Sequence, residues 1–230
     1  MTKQVQYGYP EKQGLYDPAN EKENCGVGFV AHIKGERNHQ IVLDAYDILL
    51  AMDHRGACGC ESNTGDGAGI MTALPHEFLA RVAKDELGVE LPEAGKFGAG
   101  IVFLPTDEQE RAKCKETVER IIQEQGQTLV GWRTVPVDPE GADVGPTALS
   151  AMPHIEQLII AAGEGLEGDA FERKLYMIRK VASRDLRGDH SLQQRLLFYV
   201  CSLSTKVIIY KGMLTTSQLL PFFPDLSCED

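Results

Sequence analysis

Asn24-Cys25-Gly26-Val27-Gly28-Phe29 opens the first apolar run of the chain and directly follows a polar leader, residues 1–24. The leader mixes glycine and proline with charged and amide side chains, a composition that resists regular structure. Removal of the leader would make Cys25 the N-terminus, with a thiol and a free α-amine on one residue. An α-amine titrates near about pH 8 and can take a proton from the thiol beside it. The stretch therefore predicts a cysteine nucleophile for acyl transfer that is exposed by cleavage.

Cys25 also has a purely structural interpretation. Free cysteine is among the most buried residue types, so a small thiol is typical of the start of a buried strand. Two features favour the chemical interpretation. Gly26 and Gly28 let another segment or a ligand approach closely and weaken a purely structural strand. The leader also ends at this residue.

Composition limits the class of protein. The 230 residues are enough for one large domain or two small ones with a substantial core. Lys+Arg 23 against Asp+Glu 34 gives a net charge of −11, which argues against nucleic acid as a partner because phosphate binding needs clustered cations.

No apolar run is long enough for a transmembrane helix. The six cysteines are too few for a disulfide scaffold, and the leader resembles neither a secretory signal nor a transit peptide. We therefore expect a cytoplasmic protein with free thiols.

Periodicity predicts a mixture of strands and helices. The predicted strands are residues 26–33 (buried), 70–74, 97–104, 128–137, 155–161, 196–203 and 207–210. The predicted helices are 41–52, 75–87, 108–125 after a cap at Thr106-Asp107, and one over 171–182. Residues 204–206 are predicted to turn a hairpin between the last two strands. Because no regular βαβ order appears, a layered α/β domain with helices covering sheet faces fits best.

A second chemical feature is the loop 54–69, which concentrates glycines and groups able to bind polar ligands. Loops of this kind usually present functional residues from a rigid scaffold. The planar guanidinium of Arg55 can bind a carboxylate through two parallel hydrogen bonds. The loop lacks the Gly-Lys-Ser/Thr ending of a phosphate loop. The alternative is a tight glycine turn with solvated polar groups.

A metal site is a competing interpretation of the same loop. His54, Cys58 and Cys60 are soft ligands, and Cys25 or Cys114 would be the fourth. Their spacing departs from the paired Cys-x-x-Cys of structural zinc sites. A zinc-binding module therefore stays the least favoured interpretation.

Three blocks of the chain, in order, resemble the large subunits of glutamate synthases. The first is similar to the family's processing site: Gly14-Leu15-Tyr16-Asp17-Pro18 and Glu21-Lys22-Glu23-Asn24-Cys25-Gly26-Val27-Gly28-Phe29-Val30-Ala31. The second is His54-Arg55-Gly56-Ala57-Cys58-Gly59-Cys60-Glu61 and Asn63-Thr64-Gly65-Asp66-Gly67-Ala68-Gly69-Ile70. The third is Tyr199-Val200-Cys201-Ser202-Leu203-Ser204 and Tyr210-Lys211-Gly212-Met213-Leu214. The resemblance runs along essentially the whole chain and is more specific than any one motif.

The resemblance implies a class II glutamine amidotransferase domain with the N-terminal-nucleophile hydrolase fold, an α/β (α+β) sandwich of four layers, αββα. It implies that residues 1–24 are a propeptide and that residues 25–230 are a partial domain. Cys25 would attack the side-chain amide of L-glutamine, with its own α-amine as base, and Arg55 would position the nucleophile. Asn63 and Asp66 would shape the loop without a separate catalytic role.

The chain departs from the family near its end. The family continues with an Arg-Phe-Ser/Pro-Thr-Asn segment, an Asn-Gly pair for the oxyanion hole and an aspartate for the substrate amine, and none of these motifs occurs here. Loss of one oxyanion donor alone can cost about a hundredfold in rate. We therefore expect an N-terminal fragment of a larger enzyme, with a sandwich incomplete at the C-terminus. Alone, it should fold poorly and be an incompetent glutaminase.

The resemblance also implies cofactors and partners for the longer enzyme. No cofactor or metal is expected in this chain, whereas the full-length family uses FMN and an iron–sulfur cluster. Ammonia would pass to 2-oxoglutarate in the remaining synthase domains, and a small NADPH-oxidising subunit is a further expected partner. The alternative from another class is a non-catalytic regulatory or interaction domain on the same scaffold.

Overall fold

The computed structural model describes residues 11–15, 17 and 25–229, so most of the predicted leader lies outside the described residues. The helices are α1 (Gln40–Ala51), α2 (His76–Val82), α3 (Glu108–Glu124), α4 (Pro146–Ser150), α5 (Gly168–Gly188) and α6 (Leu219–Phe222). The strands are β1 (Ala68–Ala73), β2 (Phe97–Leu104), β3 (Thr128–Thr134), β4 (His154–Ala161), β5 (Tyr199–Val200) and β6 (Val207–Gly212). No helix within these ranges is long and apolar enough to cross a membrane.

The strands form two antiparallel sheets. The larger has four strands in the order β3-β4-β2-β5. Its centre is the full-length pairing of β2 with β4, which runs from Phe97 opposite Ala161 to Leu104 opposite His154. The smaller sheet pairs β1 with β6. Strands β2 and β4 lie in the interior of the larger sheet and are covered on both faces, so β2 is apolar throughout, whereas β4 also buries the polar side chains of Glu156 and Gln157.

Helices α3 and α5 cover one face of the four-stranded sheet. On α5, the buried residues recur every three to four positions: Phe171, Leu175, Ile178, Ala182 and Leu186. The corresponding buried residues of α3 are Cys114, Val118, Ile121 and Ile122. The side chain of Asp107 accepts a hydrogen bond from the amide of Glu110 and caps α3, as predicted. The two helices and the sheet share one apolar core.

A second core joins the other face of the four-stranded sheet to the smaller sheet. It combines Ala99 and Ile101 of β2 with Ile70 of β1 and Ile208 of β6. Helix α1 contacts β1 and packs its partly buried side chains Val42, Ala45, Tyr46 and Leu49 against this core. The molecule therefore has four layers: helices α3 and α5, the four-stranded sheet, the two-stranded sheet, and helix α1. The predicted α+β class is confirmed, and the layers are consistent with an αββα sandwich.

Most predicted elements are confirmed, with limited changes at their ends. The strand predicted over 196–203 is reduced to Tyr199–Val200, because Arg195–Leu197 form a 3₁₀ turn. The strand predicted over 97–104 and the strand predicted over 155–161 match β2 and β4 closely. The helix predicted over 75–87 ends its α-helical part at Val82 and continues as one π-helical turn, Ala83–Leu87. The strand predicted over 128–137 ends at Thr134.

The prediction of a buried strand at residues 26–33 is wrong. No strand is assigned there, and Val27, Phe29 and Ile33 are 93%, 88% and 103% exposed. A strand needs a neighbour for its backbone hydrogen bonds, and no described strand pairs with this segment. An apolar run in the sequence does not reveal whether such a neighbour is present.

The predicted hairpin at residues 204–206 is also wrong. Strand β5 pairs with β2 in the four-stranded sheet, whereas β6 pairs with β1 in the smaller sheet. The chain therefore crosses between sheets at Ser204 and Thr205. The carboxylate of Glu172 on α5 holds this crossover, since it accepts hydrogen bonds from the Ser204 hydroxyl at 3.1 Å and from the Thr205 amide at 2.6 Å.

A buried ion pair links both sheets to the segment after α6. The guanidinium of Arg133 on β3 donates to Asp225 through Nη1 at 2.7 Å and Nη2 at 3.0 Å, and through Nε to Glu86 at 2.8 Å. The hydroxyl of Tyr210 on β6 donates to the same Asp225 carboxylate at 3.0 Å. Burial alone would lower the pKa of Arg133, but its hydrogen bonds with Asp225 and Glu86 raise that pKa above its ordinary value.

Replacement of Arg133 by methionine should lower the free energy of unfolding by about 3–5 kcal/mol, because the buried Asp225 carboxylate would lose the guanidinium that neutralises it. Urea unfolding measures the effect. The matched control is Arg120→Met, which removes an exposed pair with Glu124 and should cost less than about 1 kcal/mol. Equal effects of the two substitutions would contradict the stabilising role of the buried pair.

Candidate active site

Cys25 is exposed, and the segment that follows it lies against the C-terminal end of α1. A Cβ atom on Gly26 would lie 3.0 Å from the sulfur of Met52, and one on Gly28 would lie 2.3 Å from Cγ2 of Ile48. The second distance is shorter than any normal contact. The two glycines therefore allow a close approach, and the side chains that approach them belong to the helix.

Arg55 contacts the backbone of Cys25. Its guanidinium donates from Nε and Nη2 to the carbonyl oxygen of Cys25, at 3.4 and 3.3 Å. Arg55 ends the 3₁₀ turn Asp53–Arg55 that follows α1. The carboxylate of Asp53 accepts a hydrogen bond from the hydroxyl of Thr216 at 2.7 Å, which fixes the turn to a distant part of the chain. The structure therefore brings together the two residues predicted for the site.

The glycine-rich loop after Arg55 folds back on itself. Cys58 and Gly65 form an isolated antiparallel bridge, and the amide of Asp66 donates to the carbonyl of Ala57 at 3.0 Å. Gly67 has φ = 143°, a backbone conformation that side-chain-bearing residues rarely adopt. The loop is therefore a small, internally bonded hairpin that returns the chain to β1.

Gly65 lies directly against the turn that follows β6. A Cβ atom at this position would lie 2.1 Å from the carbonyl carbon and oxygen of Leu214 and 2.3 Å from the amide nitrogen of Thr215. These neighbours are backbone atoms, so no change of rotamer can make room for a side chain. The backbone of the loop at Gly65 is therefore in direct contact with the backbone of this turn.

Asn63 anchors the tip of the loop through both backbone and side chain. Its carbonyl accepts from the amide of Gly145 at 2.8 Å and from the side-chain amide of Gln218 at 2.9 Å. Its own side-chain amide donates to Asp143 at 3.3 Å. These bonds agree with a role in shaping the loop, which stays a prediction for Asn63 and for Asp66.

Glu61 makes a further anchor. Its carboxylate accepts from the hydroxyl of Thr147 on α4 at 2.7 Å. This hydrogen bond is the main cause that holds the pKa of Glu61 below its ordinary value. A carboxylate that accepts a short hydrogen bond stays ionised, so the anchor persists at neutral pH.

Comparison with known proteins decides the family. A profile described as glutamine amidotransferases class-II matches residues 25–230. The chain belongs to this family. It is 39% identical over 221 residues to the NADPH glutamate synthase large chain of Bacillus subtilis, covering 96% of this chain. It is 40% identical over 227 residues to an NADH glutamate synthase of Saccharomyces cerevisiae, covering 95% of this chain. It is 38% identical over 206 residues to ferredoxin-dependent glutamate synthase 2 of Synechocystis, covering 90% of this chain.

The amidotransferase match corresponds to a small part of each relative. The aligned residues make up 14% of the Bacillus subtilis protein, 10% of the Saccharomyces cerevisiae protein and 12% of the Synechocystis protein. The chain is therefore similar to one domain of these proteins and not to their whole length.

The sequence prediction missed the residues that hold the loop of the amidotransferase domain in place. They are Asp53, Asp143, Thr147, Thr216 and Gln218. One local signal was present in the sequence, since Thr215-Thr216-Ser217-Gln218 has the S/T-x-x-E/Q pattern of a capping box, and the structure forms that box. The other contacts join residues distant in sequence, for which no local pattern exists.

The ligands of the competing zinc interpretation are not brought together. Cys114 is buried in the core between α3, α5 and the four-stranded sheet, whereas Cys25, Cys58 and Cys60 are exposed. The thiol of Cys58 donates to the carbonyl of Ser62 at 3.2 Å. Over the described ranges, no group of three histidine, cysteine, aspartate or glutamate residues has the arrangement of a metal site.

Alanine at position 65 should disrupt the loop. Its Cβ would collide with the backbone of Leu214, so we expect Gly65→Ala to lower the free energy of unfolding by about 1–3 kcal/mol and to displace the loop. Denaturant unfolding measures the loss. Gly188→Ala is the control, because a Cβ there meets nothing within 4 Å. A Gly65→Ala protein as stable as the Gly188→Ala protein would show that the close contact is absent in solution.

The cysteines should differ sharply in reactivity, because only the thiolate is nucleophilic. Burial raises the pKa of Cys114 to about 11 and that of Cys201 to about 12, so both stay protonated and shielded at about pH 8. Iodoacetamide at that pH should label the exposed Cys25 and Cys58 and spare the two buried thiols, as read by peptide mass mapping. Unfolding in urea should abolish the difference. Labelling of Cys201 in the native protein at the rate of Cys58 would contradict the packing described.

Proposed function

We propose that this domain hydrolyses the side-chain amide of L-glutamine, with Cys25 as the nucleophile once residues 1–24 have been removed. The observation that carries the proposal is the contact of the Arg55 guanidinium with the Cys25 carbonyl in a class II amidotransferase domain. The family match begins at residue 25, which supports a mature chain that starts there. The exposure of Cys25 supports access for a substrate.

The proposed reaction has two steps. The α-amine of Cys25 takes the thiol proton, and the sulfur attacks the amide carbon of glutamine to form a tetrahedral intermediate. The C–N bond then breaks, the nitrogen takes the proton, and ammonia leaves a γ-glutamyl thioester on Cys25. Water attacks the thioester carbon, the C–S bond breaks, and glutamate leaves as the thiol regains its proton.

Arg55 has a positioning role in this proposal. Its guanidinium holds the carbonyl of the same residue that supplies the thiol and the amine. Holding reacting groups in one geometry can supply several kcal/mol of a reaction barrier, so a fixed Cys25 backbone is valuable. Asp53 and Thr216 support Arg55 by fixing the turn on which it lies.

The activity of a longer protein is part of the same proposal. The relatives named above are glutamate synthases, so we infer that ammonia released at Cys25 passes to 2-oxoglutarate in other synthase domains. FMN and an iron–sulfur cluster would belong to those domains, with no cofactor or metal in the amidotransferase domain itself. A small NADPH-oxidising subunit would be the electron-donating partner, in the cytoplasm.

Processing and nucleophile can be tested together in the complete enzyme. N-terminal sequencing should return Cys25 as the first residue. Cys25→Ala should abolish glutamine-dependent activity by removing the attacking sulfur, while ammonia-dependent synthesis survives. The control is Cys60→Ala, which removes another exposed thiol and should leave both activities unchanged. Active enzyme that retains Asn24 would overturn the mechanism, and loss of both activities in Cys25→Ala would indicate a folding role.

The Cys25→Ala variant of the complete enzyme separates this proposal from a non-catalytic interaction domain on the same scaffold, and a glutaminase assay of the 230 residues alone tests whether this chain suffices. We expect little turnover by the isolated chain, because the Arg-Phe-Ser/Pro-Thr-Asn and Asn-Gly motifs of the family do not occur in it. Clear turnover would show that the described residues suffice. A complete enzyme whose Cys25→Ala variant keeps its glutamine-dependent activity would support the interaction domain instead.

A further inference from the structure

A cavity of about 370 Å³ lies between the four-stranded sheet and the turn that follows β6. Its volume falls within the range of small-molecule sites. Its walls are mainly apolar, and they include Phe103, Ala148, Met152, Ile155, Leu214 and Phe222. Neither Cys25 nor Arg55 lines it, so the cavity is distinct from the candidate active site.

The charged residues that line the cavity are both cations, Lys211 and Arg187. Within the described part of the chain, neither one forms a salt bridge with a carboxylate. The cavity therefore combines apolar walls with a local positive charge that no carboxylate of its own lining neutralises.

The ammonium of Lys211 is held in place at the cavity wall. Its Nζ lies 4.3 Å from the centre of the Tyr199 ring and donates to the Tyr199 hydroxyl at 3.2 Å. Contact with an aromatic face stabilises a cation without neutralising it. A partly buried cation that keeps its full charge favours an anion beside it. The position of Lys211 is thus fixed before any ligand binds.

We propose that the cavity binds a small amphipathic carboxylate. The apolar body would lie among Phe103, Ala148 and Ile155, and the carboxylate would accept hydrogen bonds from Lys211, with Arg187 adding positive potential. A volume of about 370 Å³ lies near the lower end of the range of small-molecule sites, so a ligand of roughly a dozen non-hydrogen atoms suits it. Decanoate has this size and is a suitable probe.

Isothermal titration calorimetry of decanoate into the chain tests the proposal. We expect one site, about tenfold weaker binding after Lys211→Gln, a smaller loss after Arg187→Gln, and no binding after Ala151→Trp, which fills the cavity. The matched control is Lys180→Gln, an exposed lysine on α5 that does not line the cavity. Decanol should bind more weakly than decanoate and decylamine more weakly still, because only decanoate offers the complementary charge.

Several outcomes would overturn the proposal. They are no heat of binding up to about 1 mM decanoate, equal binding by the Lys211→Gln and Lys180→Gln proteins, and equal binding of the three head groups. Arg187 is exposed, so Arg187→Gln keeps the charge effect measurable even if Lys211→Gln fails to fold. Unchanged binding by Arg187→Gln and Ala151→Trp together would place the decanoate elsewhere.

Discussion

The bidentate pair of Arg133 and Asp225 is the interaction on which the arrangement of the two sheets depends. Both side chains are 4% exposed, so their charges are compensated almost entirely by each other, by Glu86 and by the Tyr210 hydroxyl. A buried pair of this kind is costly to break but adds little when compared with a well-packed apolar pair. Its value lies in specifying one arrangement, because Arg133 belongs to one sheet and Tyr210 to the other.

The candidate active site is likewise held in place by contacts between residues that are far apart in the sequence. Arg55 reaches Cys25 from a turn that Thr216 holds, and the loop beyond it is held by Gln218 and by the backbone of Leu214. The geometry around Cys25 is therefore determined by residues at the opposite end of the described chain. Positions that never touch a substrate can control how well Cys25 is oriented.

The sequence predicted most of the elements, because their signals are local. The apolar run of β2 and the Asp107 cap of α3 appear in the structure as expected. The prediction failed where the outcome depends on distant partners. Residues 26–33 look like a buried strand in isolation, yet no described strand pairs with them, and the turn at 204–206 is a crossover because Glu172 holds it.

The same limit applies to the site. Cys25 and Arg55 followed from chemistry and from a family resemblance, and the structure places them in contact. No local sequence pattern around Asp53, Asp143 or Thr147 predicted that these residues hold the loop in place. Each becomes meaningful only through a partner many positions away, as in the bond of Asp53 with Thr216, 163 residues apart.

These long-range attachments have a consequence for biosynthesis. Two contacts join the region of α1 to residues 217 and 226: Tyr46 with Ser217 and His39 with Leu226, which are 171 and 187 residues apart. Contacts of such sequence separation form late, because the loop between them must close first. On a ribosome, α1 and the turn with Arg55 would be synthesised well before residues 214–226, which supply their tertiary contacts. Cys25 would therefore acquire its final surroundings only after residues 214–226 have been synthesised, about two hundred residues after Cys25 itself.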